Sequence, residues 1–199
     1  MIKTIIFDLS EVYLKGLIGV GNYIQPILNE PPKGIESKLN NKDLTSLFHG
    51  EISEDEYWAR TINKNKWKVQ PNILKKAVRA NFKEIHGTRE IIESLKEKGY
   101  RLGLLSVHTK EWIDYCDTKF DYHKLFDSIS YSFEVGISKP DIKAYEFILK
   151  KLKEKPENCL FIDDNEENLV SARKLDIKTI QFKNPNQLKK DLILLSIKV

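Results

Sequence analysis

The sequence predicts an α/β protein with a doubly wound parallel sheet and a small inserted α-helical cap. Short, uninterrupted apolar runs such as Ile5-Ile6-Phe7 are typical of buried parallel strands. Amphipathic helical patterns separate these runs along the chain, which indicates repeated strand–helix–strand units. Residues 15–84 interrupt this alternation and contain no clear strand run. We therefore predict a core made of residues 1–14 and 85–199, with a helical cap inserted at 15–84.

Four further segments have strand-like character. Two of them lead directly into polar side chains: residues 101–105 precede Ser106, and residues 159–162 precede Asp163 and Asp164. Residues 177–182 are rich in β-branched side chains, which favour strands. Residues 128–132 form a weaker candidate. With the first run, these segments predict a sheet of four or five strands.

Helices are predicted between the strands by apolar residues at helical spacing. The segment 88–98 ends at Gly99, a residue that commonly terminates helices. Pro140 is suited to the first turn of a helix that extends to about residue 153. Two more helices are predicted at 166–175 and 186–195.

The segment 15–84 has the composition of a small helical unit. Ser53 followed by Glu56 predicts a capping box at the start of a helix. On that helix Tyr57, Trp58 and Arg60 can line a substrate pocket, although aromatic residues at helical spacing are more often part of a core. The glycines between residues 16 and 21 either form a hinge or only make turns.

Composition narrows the class of protein. The 199 residues are 41% hydrophobic and 31% charged, which is ordinary for a globular protein. The net charge of +4 is compatible with an anionic substrate and too small to indicate nucleic acid. Two cysteines, Cys116 and Cys159, predict no disulfide framework, so we expect a cytoplasmic location. We expect no signal peptide and no membrane partner, because no stretch approaches the about 18 apolar residues of a membrane span.

Polar side chains follow three of the predicted strands. In an open parallel sheet, ligands bind at the carboxyl ends of the strands. Here these ends carry Asp8, Ser106 and the Asp163-Asp164 pair. Clustered carboxylates raise one another's pKa values, and a hard divalent cation such as Mg²⁺ relieves their repulsion. The alternative is that each Asp only caps the helix that follows it. Lys139 can reach the same edge and balance negative charge, or it can simply be solvated.

Taken in order, these motifs resemble those of the haloacid dehalogenase superfamily. The first motif is a strand ending in Asp, here Phe7-Asp8-Leu9-Ser10-Glu11-Val12. The second is a strand ending in Ser or Thr, here Leu104-Leu105-Ser106. The third is a Lys, here Lys139-Pro140, and the fourth is an acidic pair, here Asp163-Asp164. The resemblance covers about residues 3–182 and implies a Rossmann-like core with a helical cap.

The resemblance also implies a chemistry. Asp8 would attack the phosphorus of a small phosphorylated metabolite and form an aspartyl-phosphate. Mg²⁺ would be held by the carboxylates of Asp8, Asp163 and Asp164 and by the backbone carbonyl of Ser10. Lys139 would also stabilise the phosphoryl group during transfer. The phosphoryl oxygens would be bound by Ser106, by the backbone N–H groups that follow it, at Val107 and His108, and by Lys139.

The main departure from the family pattern is Ser10. Family phosphatases usually have a second Asp there, which protonates the leaving group and later activates water. Such general acid–base help is worth about 10²–10⁴-fold in rate, and a serine hydroxyl is too weak an acid to replace it. Glu11 can take over this role only if the turn after the strand re-aims it. His108, where Asn is more usual, can carry protons or bind phosphate, or it can be a solvent-facing loop residue.

Three functions remain open from the sequence. The first is a Mg²⁺-dependent phosphatase acting on a small phosphate monoester. The second, which Ser10 supports, is a catalytically impaired relative that binds phosphate or a partner. The third is a haloacid dehalogenase, an enzyme class that also lacks the second Asp of the first motif. The acidic pair Asp163-Asp164 favours a metal site and therefore argues against dehalogenation.

Overall fold

Five parallel strands form the centre of the protein. The computed structural model describes all residues, 1–199. The strand order is β3-β2-β1-β4-β5, and every neighbouring pair is parallel. The predicted α/β fold with a doubly wound parallel sheet is confirmed. The strands are β1 (Thr4–Phe7), β2 (Arg101–Ser106), β3 (Ser128–Tyr131), β4 (Cys159–Asp163) and β5 (Lys178–Gln181).

The register of the sheet determines which side chains meet at its carboxyl edge. Phe7, the last residue of β1, pairs with Leu104 of β2 and Ile162 of β4. The next backbone N–H, that of Asp8, donates a 2.9 Å hydrogen bond to the carbonyl of Ile162. Asp163 follows Ile162 directly. Parallel pairing therefore brings Asp8 and Asp163 to the same edge on neighbouring strands.

Eleven α-helices surround and extend the sheet. The four helices predicted outside the insertion begin and end within two residues of the observed helices. The helix predicted from Pro140 begins two residues later, because the carboxylate of Asp141 caps it by accepting the N–H of Lys143. The helices are α1 (Gly21–Leu28), α2 (Pro32–Leu39), α3 (Lys42–Phe48), α4 (Glu54–Asn65), α5 (Pro71–Asn81), α6 (Thr88–Glu97), α7 (Lys110–Phe120), α8 (Ser132–Val135), α9 (Ile142–Leu152), α10 (Glu166–Arg173) and α11 (Pro185–Leu194).

Helices α1–α5 all lie between β1 and α6, in the segment predicted as an insertion. Its two connections run side by side: Leu14 bridges Glu84, and the N–H of Ile85 donates to the carbonyl of Tyr13. The amide of Asn81 donates to the carbonyls of Gly16 and Ile18. The glycine-containing segment is therefore held by hydrogen bonds. The division into a separate cap and core at residues 15 and 84 stays a prediction.

The helical insertion packs on the sheet through a continuous apolar core. One cluster of 38 buried hydrophobic residues includes Trp58 and Leu74 from the insertion together with Phe7 and Leu104 from the sheet. A second cluster of 12 lies on the opposite face, under α9 and α10. Burial at this scale is the main source of stability for such a fold.

A buried glutamate fastens the insertion to the core. Glu54, at the start of α4, accepts hydrogen bonds from both guanidinium N–H groups of Arg79 at 2.8 and 2.6 Å. It also accepts from the indole N–H of Trp58 at 3.2 Å and from that of Trp112, on core helix α7, at 2.7 Å. Although burial raises the pKa of Glu54, these donors outweigh burial and hold the pKa below its usual value. We call these four residues the Glu54 hub.

The aromatic residues of α4 belong to the core. Tyr57 and Trp58 are fully buried, and Arg60 points outward to pair with Asp43 and Glu56. None of the three lines a pocket near the carboxyl edge of the sheet, so the core interpretation of these aromatic residues is correct. Ser53 does cap α4 by accepting the N–H of Glu56. The Glu56 side chain binds Arg60 instead of completing the predicted box.

Both cysteines are free and buried, and burial raises the pKa of each thiol to about 12. This agrees with the prediction of no disulfide framework. None of the helices combines the length and the apolar character that a bilayer span requires.

Candidate active site

Three carboxylates meet at the carboxyl edge of the sheet. Asp8 follows β1, Asp163 ends β4, and Asp164 is the next residue. One oxygen from each lies within 4.8 Å of the others. Asp8 and Asp163 are buried, while Asp164 is partly exposed. The sequence-based expectation that these carboxylates share one edge is met by the geometry; their roles as ligands stay predictions.

Lys139 is the one cation within this group. Its ammonium nitrogen lies 2.8 Å from Asp8 Oδ1 and 2.6 Å from Asp163 Oδ2. Only 2% of its side chain is exposed. The solvated alternative for this lysine is therefore wrong. Three carboxylates face a single ammonium, so the cluster keeps an excess of negative charge when all four groups are ionised.

Asparagines and backbone groups fix the position of Asp163. The amide of Asn168 donates to both of its carboxylate oxygens at 3.1 and 3.0 Å. The N–H of Asn165 donates to Oδ1 at 2.8 Å, and the Asn165 side chain caps α10 through the N–H of Glu167. Capping of α10 is thus assigned to Asn165, and Asp163 and Asp164 remain directed to the edge of the sheet.

Proton affinities reflect the excess of negative charge. Burial and the nearby Asp163 and Asp164 raise the pKa of Asp8, against the opposing effect of Lys139. Burial and Asp163 raise the pKa of Asp164 as well. Burial lowers the pKa of Lys139, but Asp163 and Asp8 raise it more, so the ammonium stays charged. All the candidate ligand atoms are oxygens, a donor set that suits a hard divalent cation such as Mg²⁺.

The residues at the end of β2 and just after it divide into two groups. Ser106 is buried, and its hydroxyl has no hydrogen-bond partner within the protein. Val107 lines the same pocket as Asp8 and Lys139. Both positions are compatible with contact to a phosphoryl group.

His108 is directed away from the carboxylates. Its ring packs among Phe48, Phe82 and Trp112, and Nδ1 accepts the N–H of Thr109. The backbone N–H of His108 donates to the hydroxyl of Ser132. Burial lowers the pKa of His108 to about 4, so the ring is neutral near neutral pH. This geometry does not support the assignment of His108 to phosphate binding, and the residue is not solvent-facing either.

The turn after β1 re-aims Glu11. Its φ angle is +60°, in the left-handed region that side chains rarely adopt. Glu11 therefore lines the same pocket as Ser10 and Asp8 instead of pointing to the opposite face. Both of its carboxylate oxygens are occupied: Oε1 accepts the N–H of Gly16 and Oε2 accepts Lys15, each at 2.9 Å.

A pocket of about 270 Å³ opens over the carboxylates, and we call it the rim pocket. Its apolar lining consists of Val107 and of three residues from the insertion, Leu17, Ile18 and Phe48. Its polar lining consists of Asp8, Ser10, Glu11, Lys139, Asp164, Asn165 and Asn168. The sequence alone did not predict the three apolar residues, because they lie in the segment without a strand pattern and reach the edge only through tertiary packing.

A larger cavity, of about 700 Å³, lies at the opposite end of the sheet. It is lined by the first residues of three strands, Thr4, Arg101 and Lys178. Glu154 is the only acidic residue in its lining. This cavity contains no cluster of carboxylates, and so the smaller rim pocket is the candidate active site.

Solved structures with the same fold cover nearly the whole chain. A haloacid dehalogenase family enzyme of Bacteroides thetaiotaomicron, solved in complex with magnesium and inorganic phosphate, superimposes with a TM-score of 0.78 at 21% identity, covering 92% of this chain and 96% of that one. A predicted hydrolase of the same type from Porphyromonas gingivalis gives a TM-score of 0.79 at 25% identity, covering 98% of each chain.

Sequence relatives and a family model agree with these structures. A glyceraldehyde 3-phosphate phosphatase of Methanothermobacter thermautotrophicus is 31% identical over 96 residues, which are 47% of this chain and 42% of that protein. The chain covers between 14% and 52% of the length of the curated relatives that it matches, that is, at most about half. The model of the haloacid dehalogenase-like hydrolases matches residues 5–182, which include every motif of the site. This chain is therefore a member of the haloacid dehalogenase-like hydrolase family.

Proposed function

We propose that this chain is a Mg²⁺-dependent phosphohydrolase that acts on a small phosphate monoester through an aspartyl-phosphate on Asp8. The observation that carries the proposal is the cluster of Asp8, Asp163 and Asp164 around Lys139 at the edge of the sheet. A phosphatase among the relatives, and a neighbour solved with magnesium and phosphate, support the same chemistry.

The proposed reaction has two steps. A carboxylate oxygen of Asp8 attacks phosphorus, and the bond from phosphorus to the substrate oxygen breaks. Water then cleaves the aspartyl-phosphate, which releases phosphate and restores the carboxylate. The sum of the steps adds one water across the phosphate ester and releases one alcohol.

The other residues bind and neutralise charge. Lys139 donates to the oxygens of the transferring group, and the buried Ser106 hydroxyl is available to do the same. The carboxylates of Asp8, Asp163 and Asp164, with the Ser10 carbonyl, would hold Mg²⁺, which when bound offsets repulsion between the carboxylates and the anionic substrate. Asn168 keeps Asp163 oriented for this role.

Ser10 favours a second candidate function. Because it supplies no acidic proton, the chain can be a catalytically impaired relative that binds phosphate without turnover. The dehalogenase alternative has less support, since that chemistry gains nothing from three carboxylates within 4.8 Å of one another.

One assay separates these functions. Purified protein is given 4-nitrophenyl phosphate with Mg²⁺ or with EDTA, beside Asp8→Asn and the control Asp55→Asn, which changes an exposed carboxylate on α4. The proposal predicts turnover that needs Mg²⁺, is lost in Asp8→Asn and persists in the control. Phosphate binding with no turnover of any ester would indicate the impaired relative, and EDTA-insensitive halide release from a haloacid would indicate the dehalogenase.

A further inference from the structure

We propose that the substrate is the phosphate ester of a phenol-type hydroxyl, that is, an aryl phosphate, rather than a sugar phosphate or a simple alkyl phosphate. This inference rests on the proposed phosphohydrolase function and adds the class of the leaving group. Two independent features carry it: the rim pocket holds no free proton donor for the leaving oxygen, and an apolar cavity adjoins it.

The side chains around Asp8 lack a group suited to protonate a leaving alkoxide. Ser10 carries only a hydroxyl, which is too weak an acid. Glu11 accepts hydrogen bonds on both oxygens, from Gly16 and Lys15. Lys139 already donates to two carboxylates. Asp164, the other carboxyl group of the pocket, is a proposed Mg²⁺ ligand and would be ionised when the metal is bound. The leaving oxygen must therefore depart with most of its negative charge.

His108 does not fill this gap. Its ring lies in the aromatic cluster of Phe48, Phe82 and Trp112, and its Nδ1 accepts a hydrogen bond from Thr109. The ring does not line the rim pocket. No histidine lines the rim pocket, and Nε2 of His49, in the insertion, lies 3.0 Å from the hydroxyl oxygen of Ser138.

The missing donor penalises some esters much more than others. A phenol has a pKa of about 10, so a phenolate can leave without a proton. An aliphatic alcohol is closer to water, with a pKa of about 16, and it depends on general acid help worth about 10²–10⁴-fold. A site with Ser10 therefore discriminates in favour of aryl esters by its chemistry alone.

An apolar cavity of about 310 Å³ lies beside the rim pocket and shares Leu17, Ile18 and Phe48 with it. Its other apolar walls are Val20, Leu39 and Leu44. Cavities that bind small molecules are typically apolar and begin at about 300 Å³. A substrate whose phosphate lies over Asp8 can place its organic part in this cavity.

The apolar cavity offers no cation to a second phosphate group. No lysine or arginine lines it. Its polar side chains are those of Glu36 and Asn40, and Glu36 Oε1 accepts the N–H groups of Gly19 and Gly21 at 3.1 and 3.2 Å. The aromatic ring of Phe48 on the shared wall offers a surface on which an aryl group can pack.

The first test varies the leaving group. The kcat/KM with Mg²⁺ is measured for substituted phenyl phosphates of similar size, for 2-phenylethyl phosphate and for acetyl phosphate. We expect kcat/KM to rise steeply as the phenol becomes more acidic, and 2-phenylethyl phosphate to be slower by about 10²-fold or more. A flat dependence, or an alkyl ester turned over as fast as phenyl phosphate, would overturn the proposal.

Variants at position 10 test the reason for this dependence. Ser10→Asp restores an acid, so it should flatten the dependence on leaving-group acidity and raise turnover of 2-phenylethyl phosphate about 10-fold or more. Ser10→Asn has the same size without the proton and should keep the steep dependence. If the Asp variant also keeps it, with both variants folded by circular dichroism, a different group protonates the leaving oxygen and the inference fails.

The apolar cavity is tested at an exposed residue. Ile18 is 64% exposed, so Ile18→Ser should leave the fold intact. It should raise the KM for phenyl phosphate roughly 5- to 10-fold and raise the KM for acetyl phosphate, which is too small to reach the cavity, by a clearly smaller factor. The control Ile73→Ser changes an exposed isoleucine on α5 that lines neither pocket. Equal effects on both substrates would contradict the assignment of the cavity.

The outcomes separate this inference from the proposed function. Mg²⁺-dependent hydrolysis of acetyl phosphate without a preference for aryl over alkyl esters would support the phosphohydrolase function and contradict the aryl class of substrate. If neither the phosphate esters nor acetyl phosphate, which is an acyl phosphate, is hydrolysed, both the aryl class and the phosphohydrolase function are contradicted.

Discussion

Two sites in this protein hold buried carboxylates in opposite electrostatic environments. In the Glu54 hub, a single carboxylate receives hydrogen bonds from Arg79, Trp58 and Trp112, and its pKa lies below the usual value. At the rim pocket, three carboxylates share one lysine, and the pKa values of Asp8 and Asp164 are raised.

The difference shows what each group does. A buried carboxylate whose oxygens all accept hydrogen bonds from protein donors helps to hold the folded structure together. It has no free oxygen with which to bind a ligand. A buried cluster with spare negative charge costs stability and gains from binding a cation. Burial of acidic residues alone therefore does not identify a site; the balance between their charge and their donors does.

The largest effect is expected for Lys139→Met, which removes the only cation from the rim pocket. Turnover should fall on the order of 10³-fold, because one preorganised charge next to the phosphoryl group is lost. The melting temperature measured in EDTA should also fall. Adding Mg²⁺ should raise the melting temperature of Lys139→Met by more than it raises that of the wild type. The control Lys143→Met changes an exposed lysine on α9 and should keep both properties. An active Lys139→Met enzyme would contradict the account of this cluster.

Glu54→Gln should affect stability and leave the chemistry intact. Breaking a buried charge pair costs about 3 kcal/mol, which corresponds to a fall of about 6–12 °C in the melting temperature. Well below that temperature, kcat should stay within about threefold of the wild type. Glu56→Gln, at an exposed pair with Arg60 on the same helix, should cost less than about 1 kcal/mol.

The pH dependence of the Glu54 variant gives a further check. The pKa of Glu54 is lowered by folding, so its stabilising effect is present above the ordinary value of 4.5 and is lost as the pH falls through the lower folded value. The difference in unfolding free energy between wild type and Glu54→Gln should therefore shrink in acid. A difference that grows as the pH falls would contradict the hub as described.

The smallest effect, with the opposite sign, is expected for Asp164→Asn without metal. Folding raises the pKa of Asp164, so ionising it costs stability as the pH rises above its ordinary value of 3.8. The variant should melt up to about 2 °C above wild type at pH 7 in EDTA, and the gain should vanish near pH 4. The gain should reverse in Mg²⁺, which the wild type binds better. A variant less stable than the wild type in EDTA would show that the ionised Asp164 does not lower the stability of the folded protein.

The sequence contains enough to predict the sheet and the carboxylates at its edge. Apolar runs define the strands, and parallel pairing then requires Asp8 and Asp163 to meet whatever the rest of the chain does. Lys139 is also correctly placed, although the sequence alone leaves it open whether the lysine is buried or solvated. These predictions succeed because they depend on residues next to each strand end.

The direction of side chains in turns is not predictable in the same way. Glu11 enters the rim pocket because of a single left-handed residue, and His108 leaves it because three aromatic rings surround it. The Glu54 hub depends on contact with Trp112, 58 residues away. Local periodicity carries no information about such contacts, which arise only when the insertion packs on the core.

The central claim is that the carboxylates of residues 8, 163 and 164 share one divalent cation. Mn²⁺ binding followed by electron paramagnetic resonance, with Mg²⁺ as the competitor, tests it most directly. The account predicts one Mn²⁺ per chain in the wild type and in Glu54→Gln, displaced by Mg²⁺, and binding weakened at least about 10-fold in Asp163→Asn. Mn²⁺ binding that Asp163→Asn leaves unchanged, or no Mn²⁺ binding by the folded wild type, would contradict it.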